Sequence, residues 1–119
     1  MNTRVDRNKR YENFILFFEL DGNSVMKLSS SAAIDVCKEC TRREMYVWRI
    51  EGGIWHNPGF EARIDCIWDS CFNPKSNSNP SLEYNNRLAE EFVKEEMESY
   101  NVFIVTVYKE NLSQHKLLE

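Results

Sequence analysis

The cysteines are the first residues of this sequence whose spacing suggests chemistry. Cys37 and Cys40 form a C-x-x-C pair. In redox proteins such a pair lies at the N-terminus of a helix, where the helix dipole lowers the thiol pKa. Here the pair falls in the middle of a predicted helix, with both sulfurs on its apolar face, so we interpret both as small buried hydrophobic residues. A four-thiolate zinc site completed by Cys66 and Cys71 is the alternative, and it requires the pair to lie on a turn.

His56 is the second chemical candidate, as a general base. It stands between Trp55 and Asn57, and Asp65 or Asp69 could orient its ring. The sequence shows no serine or cysteine nucleophile in a strained turn and no carboxylates at the spacing of an acid–base pair. An enzyme that uses His56 is therefore the weaker hypothesis, and we predict a non-enzyme without cofactor or metal.

Residues 51–68 suit recognition better than catalysis. They hold two of the three tryptophans and three of the four glycines. From residue 60 onward apolar side chains alternate with mostly charged ones, which predicts a half-buried strand with an acidic outer face. Trp55 lies among polar neighbours, where an exposed indole would anchor a partner. Trp48 and Trp68 share strand faces with apolar residues and are predicted to lie in the core.

Two helices are predicted by the apolar pattern. In residues 28–43 apolar side chains recur at i, i+3, i+4 and i+7, and Ser29 or Ser30 can cap the start. Residues 81–100 carry a second apolar stripe after the start signal Pro80-Ser81. Five glutamates lie on the other side of this second helix, which we interpret as a solvated face: Glu83, Glu90, Glu91, Glu95 and Glu98.

Strands are predicted at residues 14–20, 45–50, 54–55, 60–68 and 102–107. Gly52-Gly53 and Asn57-Pro58-Gly59 are the predicted turns between the middle ones, and residues 69–80 are a predicted loop. The last strand is apolar on both faces, which is typical of a central strand. The sequence thus predicts an α+β fold, an antiparallel four- to five-stranded sheet with two helices packed on one face.

Charge and length narrow the class of protein. The 119 residues carry 15 basic and 19 acidic side chains, for a net charge of −4, and residues 1–25 are balanced. An acidic domain repels nucleic acid, so its expected partner is basic. The apolar run at residues 14–18 is too short for a signal-peptide core or a membrane span. We expect a cytoplasmic protein, monomeric or weakly dimeric, without membrane contact.

Two motifs carry a resemblance to a known family. They are Gly-Gly-x-Trp-x-Asn-Pro-Gly-Phe at residues 52–60 and Asn-Asn-Arg-Leu-Ala at residues 85–89. Shorter stretches agree in the same order, from Met26-Lys27-Leu28-Ser29 to Phe103-Ile104. Over about residues 26–108 the chain resembles the colicin-E5 immunity proteins, which inhibit a ribonuclease toxin that cuts tRNA anticodons.

The resemblance implies a small inhibitor that binds the basic ribonuclease domain of its toxin and fills the RNA-binding cleft. Carboxylates can take the places of phosphates, and an aromatic ring can replace a stacked base. On residue type and position we predict Glu51, Asp65 and Asp69 as phosphate mimics and Trp55 as the base mimic. Flanking polar contacts are predicted for three further residues: His56, Asn57 and Asn85.

Residues 1–25 have no counterpart in that family, whose proteins start where Met26 stands. This N-terminal extension is expected either to add an edge strand or not to belong to the native protein. We place the inhibitor domain at residues 26–112 and a tail at residues 113–119, whose final Leu118-Glu119 matches a cloning remnant. Ile54 and His56 also depart from the family, which leaves the identity of the cognate toxin open.

Overall fold

The computed structural model describes residues 3–56 and 59–109, in which two helices pack against one sheet. Along the chain the elements are β1 (Arg10–Tyr11), β2 (Lys27–Leu28), α1 (Ser30–Arg42), β3 (Tyr46–Trp55), β4 (Phe60–Asp69), α2 (Leu82–Glu96) and β5 (Val102–Tyr108). A single 3-10 turn, Asn23–Val25, precedes β2. The predicted tail at residues 113–119 lies outside the described residues.

The five strands form one sheet in the order β1-β2-β5-β3-β4. Strand β1 runs parallel to β2, and the other neighbouring pairs are antiparallel. The α+β prediction is confirmed, and the parallel pair at one edge is the departure from it. Strand β5 is central, as its continuous apolar sequence indicates.

Both predicted helices are present, and a serine caps each of them. The Ser29 hydroxyl accepts a hydrogen bond from the Ala32 amide at the start of α1. Ser81 does the same for the Tyr84 amide at the start of α2. These bonds satisfy amides that have no partner inside the helix. Helix α2 ends at Glu96 rather than near Tyr100, and residues 97–99 form a turn.

A single hydrophobic core lies between the helices and one face of the sheet. It joins α1 and α2 to alternate residues of the two central strands, among them Val47, Ile50, Phe103 and Val105. The helices therefore share one face, and within residues 3–56 and 59–109 no helix lies on the opposite face of the sheet. None of the helices in the described ranges is long and apolar enough to cross a membrane.

Strand β3 runs unbroken through Gly52-Gly53, so the turn predicted there is wrong. Strand β3 ends at Trp55, and β4 begins at Phe60. A Cβ on Gly52 would collide with the Cys66 sulfur, and a Cβ on Gly53 would collide with the backbone oxygen of Glu61. The two glycines are needed because neighbouring groups approach the strand closely, and not because the backbone bends.

The strand predicted at residues 14–20 is also wrong. Local hydrogen bonds shape this segment into turns, from the Phe17 amide to the Phe14 carbonyl (3.0 Å) and from Leu20 to Leu16 (3.1 Å). Phe17 is fully buried in the core, whereas Ile15 is 58% exposed. A short apolar run fits either a strand or a compact turn, and periodicity alone does not separate them.

Residues 3–25 pack onto the rest of the fold. Tyr11 lies in β1 at the sheet edge, and its carbonyl accepts a hydrogen bond from the Ser29 amide (2.9 Å). Val5 bonds through its amide to the Asp21 carbonyl (2.9 Å). The side chains of Val5, Tyr11 and Phe17 are all part of the hydrophobic core.

The two predicted core tryptophans differ in their surroundings. Trp68 packs against the core from its edge. Trp48 instead joins an aromatic cluster, with ring centroids 4.9 Å from Tyr108 and 6.2 Å from Phe72. Phe72 also stacks on Tyr46 at 4.0 Å. This cluster fixes the start of the loop that follows β4.

Candidate functional site

The hairpin of β3 and β4 carries most of the predicted site residues. Its end is closed by the cross-strand pair Trp55 and Phe60 and by a hydrogen bond from the His56 amide to the Gly59 carbonyl (2.9 Å). Gly59 has φ of 136°, a conformation that favours glycine. The predicted contact Asn57, together with Pro58, lies outside the described residues.

A wide bulge in β4 displays Asp65. Gly53 pairs with Ala62, and Glu51 pairs with Ile67. Between these pairs β3 has one residue and β4 has four, so three residues of β4 are extra. A bulge of this kind bends the strand and turns its side chains in new directions. Asp65 is one of the four residues of β4 between these pairs, and it is exposed.

Asp65 lies beside two groups that the sequence did not connect with it. The Tyr100 hydroxyl donates a hydrogen bond to its carboxylate, Oη to Oδ2, at 3.3 Å. The pKa of Tyr100 is raised, first by desolvation and then by the negative charge of Asp65, with a smaller contribution from Glu96. The Tyr100 hydroxyl, just after the C-terminal end of α2, is thus acted on by the negative charges of Asp65 and Glu96, and we call these three residues the acidic cluster. The spacing of Glu96 and Tyr100, one helical turn apart, was the available sequence signal.

His56 belongs to a charged group at the hairpin end. Its Nε2 lies 2.8 Å from Glu61 Oε1, and Arg63 Nη2 lies 2.7 Å from Glu61 Oε2. The hydrogen bond with His56, followed by the charge of Arg63, lowers the pKa of the Glu61 carboxyl. The orienting partner of His56 is therefore Glu61, and not Asp65 or Asp69 as the enzyme hypothesis supposed.

Glu51 and Asp69 lie on the sheet face opposite the helices. Glu51 stands across from Ile67 on one side and Ile104 on the other. Asp69 stands across from Arg49, with Nε 2.9 Å from Oδ1. The Asp69 carboxylate is exposed but shares its charge with this guanidinium, whereas apolar side chains flank Glu51.

Trp55 forms one wall of a surface cleft of about 540 Å³. Its amide donates a hydrogen bond to Asn101 Oδ1 at 2.7 Å, which fixes the end of β3. The ring is half-buried. The cleft is lined by residues from three parts of the chain: Asn8, Lys9, Arg10, Glu12, Trp55 and Asn101.

Asn85 is in the interior, which corrects its predicted place at the surface. The side chain is 2% exposed. Its Nδ2 donates to the Val47 carbonyl at 2.9 Å and to Asn86 Oδ1 at 3.0 Å, and its Oδ1 accepts from the Ser70 hydroxyl at 2.5 Å. Asn85 therefore ties α2 to β3 and to the loop after β4, and we leave it out of the candidate surface.

The cysteines do not form a site in the described part of the chain. Cys37 and Cys40 are buried inside α1, and Cys66 is buried in β4, whereas Cys71 is exposed. Burial raises the pKa of Cys40 to about 12 and that of Cys66 to about 11, which is the opposite of an activated redox thiol. Within residues 3–56 and 59–109, no three potential ligands come together as a metal site would require.

Comparison with known proteins gives concordant matches. Residues 26–108 match the family described as colicin-E5 Imm protein. The immunity protein CdiI of Burkholderia pseudomallei is 49% identical over 102 residues, which are 86% of this chain and 92% of that protein. The colicin-E5 immunity protein of Escherichia coli is 40% identical over 83 residues, 69% of this chain and 98% of its own length.

The two matches differ in how far they extend. Residues 26–119 number 94, so the 102-residue similarity to CdiI reaches upstream of Met26. The colicin-E5 immunity protein is covered almost completely by 83 residues, which is also the length of the family region at residues 26–108. The N-terminal extension is therefore shared, at least in part, with CdiI. Almost none of the colicin-E5 immunity protein is left unmatched that could correspond to this extension.

Proposed function

The chain belongs to the colicin-E5 immunity protein family, with toxin-inhibiting immunity as its function, and we propose that its target is the basic ribonuclease domain of a colicin-type toxin. The observation that carries this proposal is the family match over residues 26–108. The net charge of −4 supports it, because a ribonuclease that grips phosphates is basic, and complementary charge speeds association.

The proposed mechanism is direct occlusion of the RNA-binding cleft. The carboxylates of Glu51, Asp65 and Asp69 take the places of RNA phosphates and accept hydrogen bonds from the toxin's arginines and lysines. Asp65 suits this role best, because it is exposed on the β4 bulge and Tyr100 orients it. The neighbouring Glu96 adds a second negative charge to the same cluster.

Trp55 is the proposed base mimic, and the β3–β4 hairpin presents it. A rigid backbone lowers the entropy that is lost when an aromatic anchor is buried. The hydrogen bond between the Trp55 amide and Asn101 supplies that rigidity. His56 and Asn57 flank the anchor in sequence and are the proposed polar contacts at its rim.

The proposed site of action is the cytoplasm, because the tRNA that the inhibitor would protect is there. Its action requires no turnover, cofactor, membrane contact or direct binding of nucleic acid. The relatives are immunity proteins rather than enzymes. A complex of one inhibitor with one toxin domain is sufficient for occlusion, so we propose that the free protein is a monomer or a weak dimer.

The test is a tRNA cleavage assay with the ribonuclease domain of colicin E5 and with the toxin domain encoded beside the gene of this chain. We expect protection of the tRNA to be complete at an equimolar amount of the protein for at least one domain. A competition experiment should then show that excess tRNA slows formation of the complex. Cleavage that continues unchanged with both domains at excess inhibitor would refute the proposed target.

A further inference from the structure

The cleft beside Trp55 joins two regions that the family match separates. One wall comes from residues 8–12, which lie upstream of the family region, and the other wall is Trp55 with Asn101. Trp55 is the proposed anchor for the toxin, so the cleft is continuous with the proposed interface. Any toxin that contacts Trp55 from this side also meets residues 8–12.

Hydrogen bonds and core packing hold the two walls in place. Arg10 Nη1 donates to the Asn101 carbonyl at 3.0 Å, and the Asn101 amide donates to the Gly53 carbonyl at 3.1 Å. Asn101 thereby connects the N-terminal extension to the hairpin. Tyr11 is buried next to Arg10, which anchors the extension in the core. The cleft exists in the free protein and does not have to be ordered on binding.

Two basic side chains, Lys9 and Arg10, line the extension wall of the cleft together with one acidic side chain, Glu12. Arg7, Lys9 and Arg10 fall within four positions of a chain whose net charge is −4. Arg10 is neutralised by Glu12, with Nε 2.8 Å from Oε2. Lys9 is exposed, and its ammonium group lies 4.6 Å from the centroid of the Tyr11 ring, which leaves the positive charge at the cleft.

We propose that this cleft is a selectivity site that receives a carboxylate-bearing segment of the cognate toxin. The inference rests on the proposed function and adds the chemistry of one contact. A basic ribonuclease is repelled by Lys9 unless it places an acidic side chain opposite that residue. A related toxin without this carboxylate is repelled by Lys9 and therefore binds with lower affinity. One charge can in this way discriminate between similar partners.

The extents of the two matching regions fit a selective role for this wall. Trp55 lies in the region shared with the colicin-E5 immunity protein, whereas that relative has almost no room for residues 8–12. Trp55 would thus anchor the toxin throughout the family. Residues 8–12 would add selectivity only in those members that have the extension.

The experiment measures the affinity of Lys9→Glu for two purified toxin domains by titration calorimetry. One domain is encoded beside the gene of this chain, and the other is the ribonuclease domain of colicin E5. We expect the affinity for the first to fall about tenfold or more, which corresponds to about 1.4 kcal/mol. The affinity for the second should stay the same or rise. Lys9→Gln should give an intermediate loss for the first domain.

The matched control is Lys75→Glu, which changes the net charge equally in the exposed loop after β4. It should alter neither affinity by more than about twofold, as expected for an exposed charge outside the interface. Equal effects of the two lysine variants, or tighter binding of the first domain by Lys9→Glu, would overturn the carboxylate contact and leave the proposed function standing. If the unchanged protein binds neither domain, the proposed function fails, and this inference fails with it.

Discussion

At the level of single residues, two buried asparagine side chains of α2 connect this helix to β3 by hydrogen bonds. Asn86 Oδ1 accepts a hydrogen bond from the Val47 amide (2.9 Å), and its Nδ2 donates to the Met45 carbonyl (2.8 Å) and the Thr41 hydroxyl (3.1 Å). With Asn85 it forms a buried polar pair between α2 and β3. Such groups are tolerated inside only when each one is bonded. The Asn-Asn motif that carried the family resemblance therefore has a structural role.

The carboxylates at the proposed interface should differ in their effect on binding. We expect Asp65→Lys to weaken toxin binding by about tenfold to a hundredfold. The substitution places a cation in the acidic cluster, where it would repel the basic toxin domain. Asp69→Lys should cost less than Asp65→Lys, since Arg49 already shares the charge of Asp69. Both changes should flatten the dependence of the affinity on salt.

The control for these two variants is Glu19→Lys, which makes the same charge change in the exposed N-terminal turn. Binding would be measured by calorimetry at several salt concentrations. If the Asp65 and Asp69 variants both keep the affinity of the unchanged protein, the interface lies elsewhere on the surface.

The exposed thiol of Cys71 should react much faster than the three buried thiols. At pH 8 only about one Cys40 side chain in 10,000 is ionised in the folded protein when its pKa is about 12. We expect a disulfide reagent to modify Cys71 quickly and the three buried cysteines only on unfolding. Cys71→Ser should abolish the fast phase, and a second fast thiol in that variant would contradict the burial of α1 and β4.

The same pKa shifts predict how stability depends on pH. Folding raises the pKa values of Cys40 and Cys66 above that of an unfolded thiol, about 8.5. Their contribution to the free energy of unfolding is therefore complete below pH 8.5. It is lost as the pH rises toward 11–12, because the unfolded chain releases these protons first. Urea unfolding between pH 7 and 10 should show a smaller decline when both residues are alanine.

At the level of elements, close approach between neighbouring groups decides the course of β3. Strand β3 passes between β5 and β4 with Gly52 facing the Cys66 sulfur and the Phe103 ring. A side chain there would separate the strand from the core, so glycine is required in the middle of a strand. The same pair of glycines suggested a turn in the sequence, where only local conformation could be considered.

Alanine at the two glycines should test this account. We expect Gly52→Ala to lower the free energy of unfolding by about 1–3 kcal/mol through overpacking. Adding Cys66→Ala removes the nearest side-chain atom, so the double variant should lose less than the sum of the single variants. Gly53→Ala meets the backbone of Glu61, and no side-chain change should rescue it.

Urea denaturation of the four variants gives the comparison, with Cys66→Ala alone as the control. Strictly additive losses at Gly52 and Cys66 would show that the sulfur is not what excludes a side chain there.

At the level of the whole molecule, the N-terminal extension is built into the fold and also changes the surface charge. Val5, Tyr11 and Phe17 extend the core beyond the family region, and residues 7–10 add a basic strip to an acidic protein. Among the described residues, three of the eight exposed glutamates lie on α2, namely Glu83, Glu91 and Glu95. The protein thus presents differently charged regions to a partner, which suits orientation as well as attraction.

Substitution of Phe17 tests how much the N-terminal extension contributes to the free energy of unfolding. We expect Phe17→Ala to lower the free energy of unfolding by about 3–5 kcal/mol, the usual cost of removing a fully buried phenylalanine. Ile15→Ala, in the same turn but exposed, should cost less than about 0.5 kcal/mol. Equal losses in urea denaturation would mean that the extension is not part of the cooperative core. Deletion of residues 1–25 should destabilise the domain at least as much as Phe17→Ala.

The elements that the sequence predicted well are those governed by local chemistry. The caps Ser29 and Ser81 and the 3.6-residue apolar stripes define both helices, because each helix satisfies its own backbone hydrogen bonds. The alternation of apolar and charged residues predicted strand β4, although not its bulge, and the continuous apolar run predicted β5. The acidic balance and the two family motifs indicated the immunity function by themselves, since neither depends on how the chain is folded.

Tertiary structure decided whatever depends on residues that are distant in the sequence. Gly52-Gly53 lie in a strand that Cys66 and Glu61 approach closely, and residues 14–20 form turns that place Phe17 in the core. The burial of Asn85, the bulge in β4 and the cleft between residues 8–12 and Trp55 arise in the same way. Each results from contacts between elements, whose energies exceed local preferences and leave no periodic signal in the sequence.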